Sequence, residues 1–249
     1  MVTLAIEDPL ISRMEVRRML PVHESCRRLR DLAPRYPRVY GVAVLADVNP
    51  SRWWPVDSRR TTELLPAMFE TATRDMGWRA AARQLAATLT HDILGRMLPL
   101  VLLEGRAWDV GLENLWMHVD KDSAIDWIAI VDPTLRVLPD DPCLLNLCSA
   151  AQGRGTPREA IVVLPGELAL TTWVAHRCHR SLTPLFAALN AVSDRALPVA
   201  TMWHTVASAI VGVAAQLSDA GGDAVARRSQ AILDAMAGFG LPVRRVRRC

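Results

Sequence analysis

The chain has 249 residues, 51% of them hydrophobic, with 29 basic against 26 acidic residues and a formal net charge of +3. That is ample apolar material for one large domain or two small ones, and too little net charge to imply a polyanionic partner by itself. The start, Met1 to Asp8, has no basic run and carries Glu7 and Asp8, which is not the pattern of a secretory signal. The most apolar stretch, Leu85 to Leu103, contains His91, Asp92 and Arg96 and reads as a poor membrane span. Five scattered cysteines, Cys26, Cys143, Cys148, Cys178 and Cys249, fit a reducing compartment better than a disulfide framework. The expectation is a soluble cytoplasmic protein without a transmembrane segment.

Glu24 to Leu32 reads as a short helix ended by Pro34 and Pro37, Val39 to Val48 as a strand, and Asn49 to Asp57 as a loop. Thr62 to Arg74 is predicted helical. A longer helix comes next, with Trp78, Leu85, Leu89, Ile93, Met97 and Val101 on one face. Pro99 should kink or end it, and Gly105 should stop it. Asn114 to Val119 and Asp126 to Val131 alternate as strands around Asp120-Lys121-Asp122-Ser123, a hairpin signal. Leu135 to Leu138 offers a third short strand, and Asp140 to Arg158 reads as a flexible connection.

Glu167 to Val192 is predicted helical with an interruption near Pro184. Trp203, Val206, Ile210, Val213 and Leu217 form the apolar stripe of the next helix. Gly221-Gly222 should break it before a last helix over Ala224 to Met236. The predicted fold is α+β, predominantly helical, with a small antiparallel sheet whose hairpin lies near 114–131. An N-terminal α+β region, 1–140, with the central helix and hairpin, precedes a helical region, 159–249, in one compact unit.

Cys143 and Cys148 have a spacing known between cluster ligands, and His176 and His179 share a helix face on either side of Cys178. His91-Asp92 could pass a proton. Each of these patterns is also what an ordinary core or solvated helix face produces. The eight tryptophans are an unusual share of the aromatics. Trp53, Trp54, Trp108, Trp116, Trp127 and Trp203 fall at element edges, where indole can line a groove or simply fill core. The ending Val243-Arg244-Arg245-Val246-Arg247-Arg248-Cys249 places four arginines before a thiol. Such a run can touch phosphate or anionic lipid, but no second dense basic stretch supports a nucleic-acid partner.

Leu100-Val101-Leu102-Leu103-Glu104-Gly105 and Val110-Gly111-Leu112-Glu113-Asn114-Leu115-Trp116 resemble the centre of the FhuF-like ferric-siderophore reductases. Leu185 to Val192, followed by Thr201-Met202-Trp203-His204-Thr205-Val206-Ala207-Ser208-Ala209, resembles a later helix of that family, and the arginine run into Cys249 falls where its first cluster cysteines lie. The central segment is also similar to siderophore synthetases of the IucA/IucC type, with Gly111 and Asn114 at the matching positions.

The resemblance implies a protein of siderophore-iron utilisation, with a ferric siderophore and an unidentified electron donor as partners. It implies a [2Fe–2S] cluster with Cys249 among its ligands. It implies substrate contacts from Arg244, Arg245, Arg247, Arg248 and Trp116. A cluster of this kind takes four thiolates, and of the family's four cysteines only Cys249 has a counterpart. The expected activity is one-electron reduction of chelated Fe(III). The alternatives are a cluster-less siderophore-binding or siderophore-biosynthesis scaffold, or a helical interaction protein.

Overall fold

The computed structural model describes residues 20–33, 35, 40–49, 51–56, 58–120, 125–145 and 160–243. Helix α1, Pro21–Arg30, opens with proline at its first position, where the missing N–H costs nothing. The short strand β1, Ala43–Val44, runs into a tight turn over Leu45–Asp47, and β2, Trp53–Pro55, follows. Helices α2, Ser58–Asp75, and α3, Trp78–Thr90, come next. The chain then widens into two π-helical turns, His91–Gly95 and Leu100–Glu104. Pro99, between them, has no N–H to return to the carbonyl four residues back, so the regular ladder cannot pass through it. Gly105, at φ 66°, ends the run in the left-handed conformation that favours glycine.

Strands β3, Leu115–Val119, and β4, Ile125–Ile130, form the predicted hairpin. The four-stranded sheet has the order β1-β4-β3-β2; β2, β3 and β4 are antiparallel, and β1 pairs parallel with β4 at the edge. A separate two-stranded parallel sheet joins β5, Leu135–Val137, to β6, Ile161–Val163. Two long helices complete the fold: α4, Glu167–Val192, and α5, Val199–Gly238, the latter broken by the non-helical Gly222 at φ 51°.

The π-helical region is the centre of the core. Leu94, Met97, Leu98, Leu100, Val101 and Leu102 are all fully buried, and the two π-helical turns pack against α5 and strand β4. One hydrophobic cluster runs from Val22 to Val243 through both predicted regions. Two helical stretches, Trp78–Glu104 and Val199–Gly238, are long and apolar enough to cross a membrane by length and composition. The apolar window of the first is 78% buried inside the protein and that of the second 33%, so the first serves as the core helix.

The fold is α+β and mostly helical, as expected, but several boundaries differ. The strand expected over Val39 to Val48 is reduced to Ala43–Val44, and the expected loop Asn49 to Asp57 contains β2. Both sheets contain parallel pairs, because β1 and β6 return from distant parts of the chain. Pro184 does not interrupt α4. It and Arg180, whose carbonyl loses its partner, lie on the exposed side, where water replaces the missing bond. Most of the predicted connection, from 146 onward, lies outside the described residues.

Candidate functional site

Strand alternation separates the residues of the four-stranded sheet by chemistry. Leu115, Met117, Val119, Ile128 and Ile130 face the helical core. The opposite face carries two cross-strand rows: Trp53, His118 and Trp127 are register partners, and beside them run Pro55, Trp116, Ala129 and Ala43. Trp53 meets the His118 ring edge-on at 5.3 Å between centroids. Trp116, a sequence-predicted contact, is half-buried on this face. The other tryptophans expected to line a groove are largely core filler: Trp108, Trp127, Trp53 and Trp203 are all buried.

A register shift between His118 and Val119 leaves Asp126 as the extra residue of a β-bulge. Its Oδ1 lies 2.6 Å from His118 Nδ1. A carboxylate at that distance holds the imidazole proton on Nδ1 and leaves Nε2 as the atom able to accept a proton or a metal. The backbone of Asp126 is tied down in turn. Arg96, buried beneath the sheet, donates to the Asp126 carbonyl at 3.2 Å, to the Gly41 carbonyl at 3.4 Å and to Asp92 Oδ1 at 3.2 Å. Burial pushes the Asp92 carboxyl up from its ordinary range, with the charge and hydrogen bond of Arg96 opposing that shift. Asp92 therefore belongs to the Arg96 clamp, whereas its neighbour His91 is exposed.

Two further polar clusters frame the core. Arg106 grips Asp141 with two hydrogen bonds of 2.7 Å, and its Nη1 donates to Ser25 at 3.0 Å. Glu104 joins them, accepting from Arg28 through two 2.7 Å bonds. Burial would raise the Asp141 carboxyl, but the hydrogen bonds from Arg106 and from Cys143 outweigh it and hold it below its ordinary value. At the other cluster Arg177 donates to Asp109 Oδ1 at 2.6 Å and to Glu113, whose carboxyl it draws down. Asn114 closes the turn into β3. Its amide donates to the carbonyls of Asp109 and Asp132, and its oxygen accepts from the N–H groups of Val131 and Asp132. The resemblance positions Gly111 and Asn114 are thus architectural: Gly111 leaves space that the Arg177 guanidinium fills.

The described thiols do not fit a cluster site. Cys26, Cys143 and Cys178 are free and buried, and burial pushes each thiol up, that of Cys143 to about 12 with Asp141 adding to the effect. Cys148, Cys249, Arg244, Arg245, Arg247 and Arg248 lie outside the described residues. His179 stacks on Phe239 at 6.2 Å and His176 meets the same ring at 6.0 Å, so both imidazoles pack against an aromatic. Among the described residues no group of three or more His, Cys, Asp and Glu side chains is placed to share a metal ion.

The hairpin was legible in the sequence, and Trp116 lies on it as expected, whereas His118, Asp126 and Arg96 were not singled out. The readable signal was His118, two residues from Trp116 and therefore on the same face of a strand. No family model, curated protein or solved structure matches the chain.

Proposed function

We propose that the protein is an FhuF-like component of siderophore-iron utilisation that binds a ferric chelate in the cytoplasm, at the tryptophan–histidine face of its sheet. The observation that carries this reading is the convergence of the resembling segments. Helix α5, whose first half carries the 201–209 segment, packs against the Leu100–Glu104 turn, and Arg228, beyond that segment and past the Gly222 break, donates to the carbonyls of Leu102 and Leu103 at 3.0 and 3.1 Å. Val110 to Trp116 then leads from that contact through the Asn114 turn onto the outer face. There the half-buried Trp116 indole offers planar surface to the organic part of a chelate, and His118 Nε2 offers a nitrogen on a ring that Asp126 orients through Nδ1.

Iron is the substrate in this reading. A [2Fe–2S] centre would supply one-electron reduction of that iron, but the described thiols, Cys26, Cys143 and Cys178, do not gather into a site for it. The chelate-binding role stands on the face alone.

Titration with ferric hydroxamate and ferric catecholate chelates, followed by tryptophan fluorescence, tests the reading. Saturable quenching is expected, reduced in Trp116→Phe and weakened in His118→Ala. Quenching by neither chelate class, or quenching indifferent to both substitutions, rejects it.

A further inference from the structure

Arg96 ends the π-helical turn His91–Gly95. Turns of that kind are rare and recur at functional sites, and this one packs against β4. Arg96 is only 5% exposed, and a guanidinium that deep ordinarily needs a carboxylate. Asp92, four residues back, supplies it at 3.2 Å. Two further bonds go to backbone rather than to charge: Nη1 donates to the Gly41 carbonyl and Nη2 to the Asp126 carbonyl.

Those carbonyls lie just past the end of a ladder. The β1–β4 pairing consists of Ala43 opposite Ala129 and Val44 opposite Ile130, so Gly41 and Asp126 both fall outside it. On the other side of β4, His118 faces Trp127 and Val119 faces Ile125, and the bulge passes over Asp126. A bulge disrupts the ladder locally, so contacts from outside the ladder help to place such a residue. One guanidinium thus ties the chain entering β1 to the bulged residue of β4. From that residue the carboxylate reaches up to His118 Nδ1 at 2.6 Å. A hydrogen bond weakens steeply with displacement and misalignment, so the seat of the Asp126 backbone decides whether its carboxylate can hold the ring.

We infer that Arg96 is a positioning residue for the tryptophan–histidine face: by fixing the Asp126 backbone from beneath, it sets the tautomer and orientation of the His118 ring. Its effect on ligand affinity rests on the chelate-binding reading; its effect on the tautomer does not.

Nitrogen NMR of the imidazoles in the ligand-free protein tests it. The wild type should show Nδ1–H at His118. Arg96→Lys keeps a cation for Asp92 but cannot span two carbonyls as the planar fork does, and should give a mixture of tautomers. Asp92→Asn keeps the shape and removes the nearer carboxylate charge. The guanidinium is then drawn to the Asp126 carboxylate, and the tautomer should shift in the same way. Ile128→Ala, destabilised but with Arg96 in place, should retain Nδ1–H, which separates positioning from loss of stability. In ferric-chelate titrations Arg96→Lys should weaken binding by about tenfold or less, and combining it with Asp126→Asn should weaken binding no further than Asp126→Asn alone. A wild-type tautomer in folded Arg96→Lys, or in Asp92→Asn should Arg96→Lys not fold, overturns the inference. A tautomer mixture in Ile128→Ala, or additive weakening in the double variant, overturns it as well. Absence of chelate binding by the wild type would reject the chelate reading alone, since the tautomer result decides the positioning.

Discussion

The two faces of the four-stranded sheet are built from the same strands and do different work. The inner face, with Leu115, Met117, Ile128 and Ile130, is aliphatic and fully enclosed by helices. The outer face carries Trp53, Trp116, His118, Trp127 and the bulged Asp126, whose Oδ1 lies 2.6 Å from His118 Nδ1. The inner face contributes stability through area removed from water. The outer face fixes the orientation of one imidazole and keeps Trp116 partly open. Substitutions on the two sides should therefore separate stability from ligand response.

The largest effect is expected inside. Ile128→Ala should cost about 2–5 kcal/mol, read as a lower midpoint in urea unfolding; a loss comparable to a surface change would erase the distinction between the faces. Next comes the seam between β3 and α4. Gly111→Ala should cost about 1–3 kcal/mol, because its Cβ would overlap the Arg177 guanidinium. Arg177→Ala, which empties that space, should relieve most of the overlap in the double variant, so a double-mutant cycle reads the coupling.

Acid should act on the Arg106 clamp. The Asp141 carboxyl is held below its unfolded value, so its stabilising contribution is complete above the unfolded pKa and is lost as pH falls through the folded one. Urea midpoints of the wild type should therefore drop steeply below about pH 4, and less steeply in Asp141→Asn, which starts from lower stability.

On the outer face Asp126→Asn should change stability least, by about 1 kcal/mol or less, yet alter the state of His118. Nitrogen NMR of the imidazole should show Nδ1–H in the wild type and a mixture of tautomers in the variant. An unchanged tautomer would mean that Asp126 does not hold the ring. The smallest effect is chemical: Cys26, Cys143 and Cys178 should resist iodoacetamide in the folded protein and react once it is unfolded, read by mass spectrometry. Rapid native alkylation of any of them would show an open thiolate where burial implies a protonated thiol.

Local pattern carried much of this fold. The span of α4, the hairpin and the stop at Gly105 all follow from periodicity, alternation and one left-handed glycine. Strands β1 and β6 were hard to read because each has only two or three residues and draws its hydrogen bonds from a distant partner. The candidate site was half legible. Trp116 stood out by residue type, whereas Asp126 reached His118 only through a bulge, and bulges leave no composition signal.

The sequence by itself determined that the chain is a helix-rich α+β protein with an aliphatic central helix, a tryptophan-bearing hairpin and an arginine run beyond α5. Those are consequences of residue spacing, and spacing is local. Only the tertiary structure decided that Arg96 would join Gly41 to Asp126 of β4, that Arg106 would close on Asp141, and that Leu168 and Phe239 would share a groove. Each of those joins residues far apart in the chain. Burial makes an unpaired charge costly, so the matched pairs exist only in the one packing that brings them together.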